Sequence, residues 1–246
     1  LALVLGLVVT AAAAYLIGIP ILKLRGHYLA MATLAFGILM YLAFVEFRDL
    51  TGGPSGIPGI PALSLFGVKF DTDVKRYYLT TAAALLTLVV ARNVIDSRIG
   101  RALRALHGSE IAAETLGVDT TRAKLQVFAL SAAMASLGGS LYAHHLGLVS
   151  PPAFGFVVSV EFLVMAAVGG LASIWGAPFG AAGITILSEG IRRLMPLLLS
   201  GASGEHEVIA YGIILVLIMI FMPEGLVAGV GAAIRAGRRA GAASRG

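Results

Sequence analysis

Long apolar runs separated by short polar intervals dominate the chain. Seven stretches approach the roughly 20 apolar residues that a membrane-crossing helix needs. They are residues 1–22, 28–47, 77–94, 126–146, 156–175, 177–194 and 208–222. The first ends at Pro20 with Lys23 and Arg25 following, and the last is short and closed by Pro223. Gly169, Gly170, Gly176, Pro178, Gly180 and Gly183 crowd the junction of the fifth and sixth. Broken or re-entrant helices near 169–183 are compatible with that density, provided the irregular backbone is buried or lines a cavity. The pattern predicts an all-α integral membrane protein with about seven spans.

Two intervals break the apolar pattern. The first, 48–76, opens LTGGPSGIPGIP. Its glycines and prolines argue against regular helix or strand and for a turn-rich path. A generic connector and a loop that contacts a partner or caps a pathway, through Thr51, Gly52, Gly53 and Gly56, are both open readings. The second, 92–124, is the longest charged stretch. It carries Arg92, Arg98, Arg101, Arg104, Arg122 and Lys124, with Asp96, Glu110, Glu114 and Asp119. Its spacing predicts a short amphipathic helix over 99–106, with Ile99, Ala102, Leu103 and Leu106 opposite the arginines. Gly108 ends it. Ser109 caps a second helix whose early turns hold Glu110 and Glu114, and Gly117 stops that helix. Asp119 or Thr120 then caps the helix entering the fourth span. A uniformly cationic lipid-binding face does not fit the glutamates and close glycine spacing.

Composition agrees with a membrane protein. Of 246 residues, 58% are hydrophobic and only 13% charged, where a soluble domain carries about a quarter charged residues. The 31 glycines suit close helix packing in lipid. The net charge of +5 lies next to apolar spans and reads as topology determination, not nucleic-acid binding. With Lys23 and Arg25 inside, residues 92–124 and the basic tail 231–246 (Arg235, Arg238, Arg239, Arg245) fall inside too. Arg48, Lys69, Lys75, Arg76, Arg192 and Arg193 fall outside, and Glu189 can pair with the last two along one helix face. No cysteine is present, so disulfides and thiolate chemistry are excluded. The sequence begins without Met inside an apolar run, which reads as a fragment or trimmed chain with earlier N-terminal spans missing. A single transmembrane domain over 1–230 is expected.

Enzyme chemistry finds little support. Gly201-Ala202-Ser203-Gly204 with nearby His206 looks like the nucleophile region of intramembrane serine proteases, but these residues share one outer loop with Glu205 and Glu207, and a polar turn is the better reading. His144 and His145 end the fourth span, and adjacent histidines face different ways; no ligand spacing predicts a metal site. Glu161 lies within an apolar run, where an interfacial role and a pathway role are both open. Gly176/Gly180 and Gly225/Gly229 are weak helix-packing signals.

Several stretches in order resemble one known family. They are LRGHYLAMATLAFG (24–37), LTGGPSGIPGIP (50–61), DSRIGRALRALHGSEIAAETLGVDTTRAKLQVFALSA (96–132), VSPPAFGFVVSVEFLVMAAVGGLASIWGAPFGA (149–181) and MPEGL (222–226). The chain resembles the permease subunits of ABC importers for branched-chain amino acids, the longer of the two that such systems encode. The resemblance implies a second homologous permease, two cytoplasmic ABC ATPase subunits that hold ATP and Mg, and an extracytoplasmic solute-binding protein. It implies no cofactor bound by this chain, and a plasma (inner) membrane location with 92–124 and the C-terminus cytoplasmic. It also implies an ATPase-coupling loop of Arg98, Gly100, Arg101, Arg104, Glu110, Ala112, Ala113, Glu114 and Gly117. Ala112, Ala113 and Gly117 match the AA-xxx-G part of the family signature; Ile111 replaces its usual Glu, and 127–130 departs from the usual continuation. Gly169 and Gly170, with Glu161, are the pathway candidates. A urea or short-chain amide permease is the alternative within the family, and a stand-alone secondary transporter or channel the alternative outside it.

Overall fold

The computed structural model describes residues 2–198, except Arg25, Phe66 and Ala172, together with Gly212, Val216 and Ile220. The rest of the seventh expected span, the Ser203/His206 loop, the Gly225/Gly229 pair and the basic tail lie outside the described residues. The described chain falls into two compact units, Leu1–Phe156 and Val157–Gly246.

The first unit is built on four helices long and apolar enough to cross a membrane. They are α1 (Ala2–Ile21), α2 (His27–Glu46), α4 (Asp73–Asp96) and α7 (Thr120–Leu146). Their large apolar residues point outward: Val8, Leu16, Leu39, Leu85 and Val89 are each more than half exposed, the arrangement expected of surfaces that meet lipid or neighbouring helices. Between α2 and α4 lie α3 (Arg48–Thr51), a 3₁₀ turn at Gly53–Ser55, and strands β1 (Ile57–Pro58), β2 (Ser64–Leu65) and β3 (Val68–Lys69). Between α4 and α7 lie α5 (Arg98–Gly108) and α6 (Glu110–Thr115). After α7 come β4 (Leu148–Val149) and a 3₁₀ turn at Pro151–Phe154.

α1 packs along much of the length of α7. The reason is a stripe of small residues four apart, Gly6, Thr10, Ala14 and Gly18. Small side chains let two helices approach where lipid supplies no hydrophobic drive. Thr10 Oγ1 donates to Ser136 Oγ at 3.2 Å. A Cβ on Gly18 would lie 2.7 Å from Leu125 Cδ1, and one on Gly6 would lie 3.7 Å from Ser136 Oγ. The pair is therefore antiparallel, with the end of α1 beside the start of α7.

The loop 48–76 is more regular than its composition predicts. Ile57–Pro58 pair antiparallel with Val149 and Leu148 in register Ile57↔Val149, and Ser64–Leu65 pair with Lys69 and Val68. Gly and Pro do fill the turns, but the chain between them is short enough to form two-residue ribbons and a single helical turn. The all-α expectation is corrected to that extent.

The second unit corrects the fifth span. α8 covers only Phe156–Gly169, 14 residues, or about 21 Å of helix, short of the roughly 30 Å hydrocarbon core. The chain breaks at 170–175, and α9 (Gly176–Leu198) then runs for 23 residues. α9 carries Glu189, Arg192 and Arg193 and is not among the four spanning candidates. The glycines explain the break. A Cβ on Gly169 would overlap Gly176 O, and one on Gly180 would overlap Met165 O. Only the bare backbone lets α9 fold back so closely on α8.

Candidate functional site

The segment between α4 and α7 folds as one braced block. Ser97 starts α5: its Oγ donates to Val94 O at 2.6 Å and accepts from Ile99 N at 3.2 Å and Gly100 N at 3.4 Å. The corner is tight. Gly100 is buried, and a Cβ there would overlap Ile95 O. Two arginines then close the end of α4. Arg104 Nη1 donates to Ile95 O at 3.1 Å and Arg101 Nη1 to Asp96 O at 3.2 Å. The last carbonyls of a helix lack partners and carry partial negative charge, so cationic donors suit them. Arg98 is exposed in the first turn of α5.

α6 follows without a linker. Ser109 Oγ accepts from Ala112 N at 3.2 Å, the expected cap. Its far end is a Schellman turn: Val118 N donates to Ala113 O at 3.0 Å and Gly117 N to Glu114 O at 3.0 Å. That turn needs a positive φ, and Gly117 supplies 82°. Asp119 Oδ1 accepts from Arg122 N at 2.9 Å and opens α7. The roles of Ser109 and Gly117 were read from sequence, because each depends on residues within four positions; of the two candidates for the third, Asp119 is the cap.

The two glutamates do more than favour the helix dipole. Glu110 Oε1 lies 2.6 Å from Lys124 Nζ, and Thr120 Oγ1 donates to Glu114 Oε1 at 2.9 Å. Glu110 and Glu114 are one turn apart on α6; Thr120 and Lys124 are one turn apart on α7. Beneath them Ala113, Thr120, Ala123 and Leu125 are buried. Ala112 is exposed. So are two large apolar residues, Ile111 at 69% and Leu116 at 82%. These two were absent from the candidate residues read from sequence. The signal available was two apolar side chains that α6, too short to bury them, leaves facing out.

The opposite end of the first unit holds the other candidates. Thr51 Oγ1 lies 2.6 Å from Phe44 O and 2.8 Å from Phe47 O, sharing one hydrogen between them, and accepts from Gly53 N at 3.2 Å. Gly52 ends α3, Gly53 is buried, and a Cβ on Gly56 would overlap Val149 O. All four residues thus serve the turn that lays the loop on β4. An apolar pocket of about 230 Å³ opens beside it, between Phe44, Leu50, Ile57, Pro151 and Phe154. His144 Nδ1 donates to Pro61 O at 2.7 Å, tying the end of α7 to the loop.

In the second unit Glu161 is exposed on α8. Gly169 packs against Gly176, and Gly170, with φ of 105°, begins the turn into α9. The geometry gives both glycines a packing role. Arg193 Nε donates to Glu189 Oε1 at 2.7 Å, as the spacing predicts. Among the described residues no group of three His, Asp or Glu side chains could hold a metal ion.

A high-affinity branched-chain amino acid transport system permease protein LivM of Salmonella typhimurium is 33% identical over 241 residues, covering 89% of this chain and 55% of that protein. LivM of Escherichia coli is 32% identical over 239 residues, covering 88% and 54%. LivH of Escherichia coli, a permease protein of the same kind of system, is 31% identical over 163 residues, covering 65% and 49%. The chain spans about half the length of the curated relatives it matches. No solved structure matches it. The family model described as branched-chain amino acid transport system / permease component matches residues 1–234, and the chain belongs to that family.

Proposed function

We propose that this chain is a transmembrane permease subunit of an ATP-driven importer of branched-chain, neutral amino acids. It forms the translocation pathway with a second, homologous permease, as relatives of both the LivM and LivH kinds suggest. Two ATPase subunits bind ATP and Mg on the cytoplasmic side of an inner membrane, and a solute-binding protein delivers substrate to the other side. The Lys and Arg distribution supports a cytoplasmic side for 92–124, facing the ATPases, and the outer side for 48–76, facing the binding protein. Chemistry is confined to the ATPases, and this chain works by changing shape.

The observation that carries the reading is the α5–α6 block. It is rigidly capped at every helix end, sits between two spanning helices, and presents Ile111 and Leu116 to the outside. Exposed apolar side chains on and just after a short helix suit insertion into a cleft of a soluble partner. When ATP binding closes the ATPase pair, that cleft moves the block, and the helices shift between outward- and inward-facing arrangements. An aliphatic zwitterion needs only weak contacts along such a path, since selectivity can reside in the binding protein.

The test is assembly. Leu116→Asp together with Ile111→Asp is expected to weaken association with the ATPase subunits at least about tenfold in a pull-down of the detergent-solubilised complex. The second permease should remain bound. Unchanged ATPase recovery would contradict this assignment of the block.

A further inference from the structure

Two side-chain contacts join α6 to α7. From Glu110 Oε1 to Lys124 Nζ is 2.6 Å, with the two side chains 28% and 20% exposed. From Thr120 Oγ1 to Glu114 Oε1 is 2.9 Å, with Thr120 only 3% exposed. These are two rungs, one helical turn apart, between the same pair of helices. Between them the connector is short, and its Schellman bonds and the Asp119 cap occupy its backbone groups. α6 therefore has no hinge at which to swing free of α7.

α7 continues without interruption for 27 residues, about 40 Å. Its other end is tied into the opposite surface. Ile60 N donates to Gly147 O at 3.1 Å, His144 Nδ1 donates to Pro61 O at 2.7 Å, and β4 pairs with β1 directly after the helix. One continuous helix thus joins the α5–α6 block to the loop 48–76 at the other end of the first unit.

We infer that Glu110, Glu114, Thr120 and Lys124 are positioning residues that lock α6 to α7, so that displacement of α6 moves α7 and the loop 48–76 as one body. The inference rests on the proposed permease function and goes further, because it assigns these four residues to transmission and not to ATPase contact. A charged, half-buried pair is suited to this. It holds one geometry, and losing one partner leaves the other charge poorly solvated.

The experiment uses the whole importer in proteoliposomes and reads leucine transported per ATP hydrolysed. Glu110→Lys and Lys124→Glu are each expected to lower that ratio at least about fivefold, the scale of ordinary site-to-site coupling, while hydrolysis continues. The double exchange Glu110→Lys/Lys124→Glu is expected to restore it. A wild-type ratio in the single variants overturns the inference. So does a fall of transport and hydrolysis in parallel, or a double exchange that stays uncoupled. If the reversals prevent assembly, Glu110→Gln and Thr120→Val decide: a lowered ratio supports the lock, and an unchanged one overturns it. A wild-type chain that recruits no ATPase overturns the functional reading and the inference with it. A wild-type importer that couples, beside variants that couple equally well, overturns the inference alone.

Discussion

A methyl group on residue 100 would occupy the space of Ile95 O, which is backbone and cannot move aside. Gly100→Ala must therefore open the α4–α5 corner and lose the contacts of Arg101 and Arg104 with the end of α4. We expect it to cost about 1–3 kcal/mol, seen as a lower unfolding temperature in detergent. Gly108 offers the control. It is helical, and a Cβ there meets nothing within 4 Å, so Gly108→Ala should stabilise by about 0.5 kcal/mol. Asp71 makes a prediction in pH. Its own backbone N–H, then Lys75, holds its carboxyl below the usual carboxylate range. A lowered value means that the clasp of Asp71 with Lys75 is intact above the ordinary carboxylate value and is lost as pH falls through the lowered one. Lys75→Ala should move the Asp71 midpoint up toward the ordinary value in an NMR titration. At this scale the sequence was readable where partners are local. Ser109, Gly117 and Asp119 act within four residues, and their roles follow from type and spacing. Arg101 and Arg104 read as contact residues because sequence shows their charge and not the carbonyls of Ile95 and Asp96 that the corner brings to them.

Among elements, the two glycine crossings differ in what opposes a larger side chain. At Gly18 the obstacle is the far end of Leu125 and the ring of Phe128, which can rotate. At Gly180 it is the backbone of Met165 and Gly169. Gly18→Ala should therefore be tolerated within about 1.5 kcal/mol, whereas Gly180→Ala should cost more, about 2–3 kcal/mol. Thermal unfolding of the two variants, in parallel, checks the order. Helix positions were legible from apolar runs: α1, α2 and the ends of α4 and α7 fall close to the expected spans. The break after Gly169 was signalled by glycine density, but its consequence, a 14-residue α8, was not. The ribbon of Ile57 and Pro58 with Leu148 and Val149 could not be read locally, because its two strands are some ninety residues apart. The stripe Gly6, Thr10, Ala14, Gly18 was overlooked since only two of its members are glycine; small-residue spacing, and not GxxxG alone, is the informative pattern.

At the scale of the molecule, the outward-facing apolar helices among the described residues and a family match across 1–234 converge on a membrane permease. The proposal that other subunits work it differs from a transporter working alone, which would place ionisable relays within its spans. The most direct test is uptake of radiolabelled leucine into proteoliposomes holding the chain with its second permease and both ATPases, ATP inside the vesicle or outside according to orientation, and binding protein on the opposite face. The account predicts accumulation against a gradient that requires hydrolysable ATP and stops with a non-hydrolysable analogue. Equal uptake in the absence of ATP, or of the ATPase subunits, would contradict it.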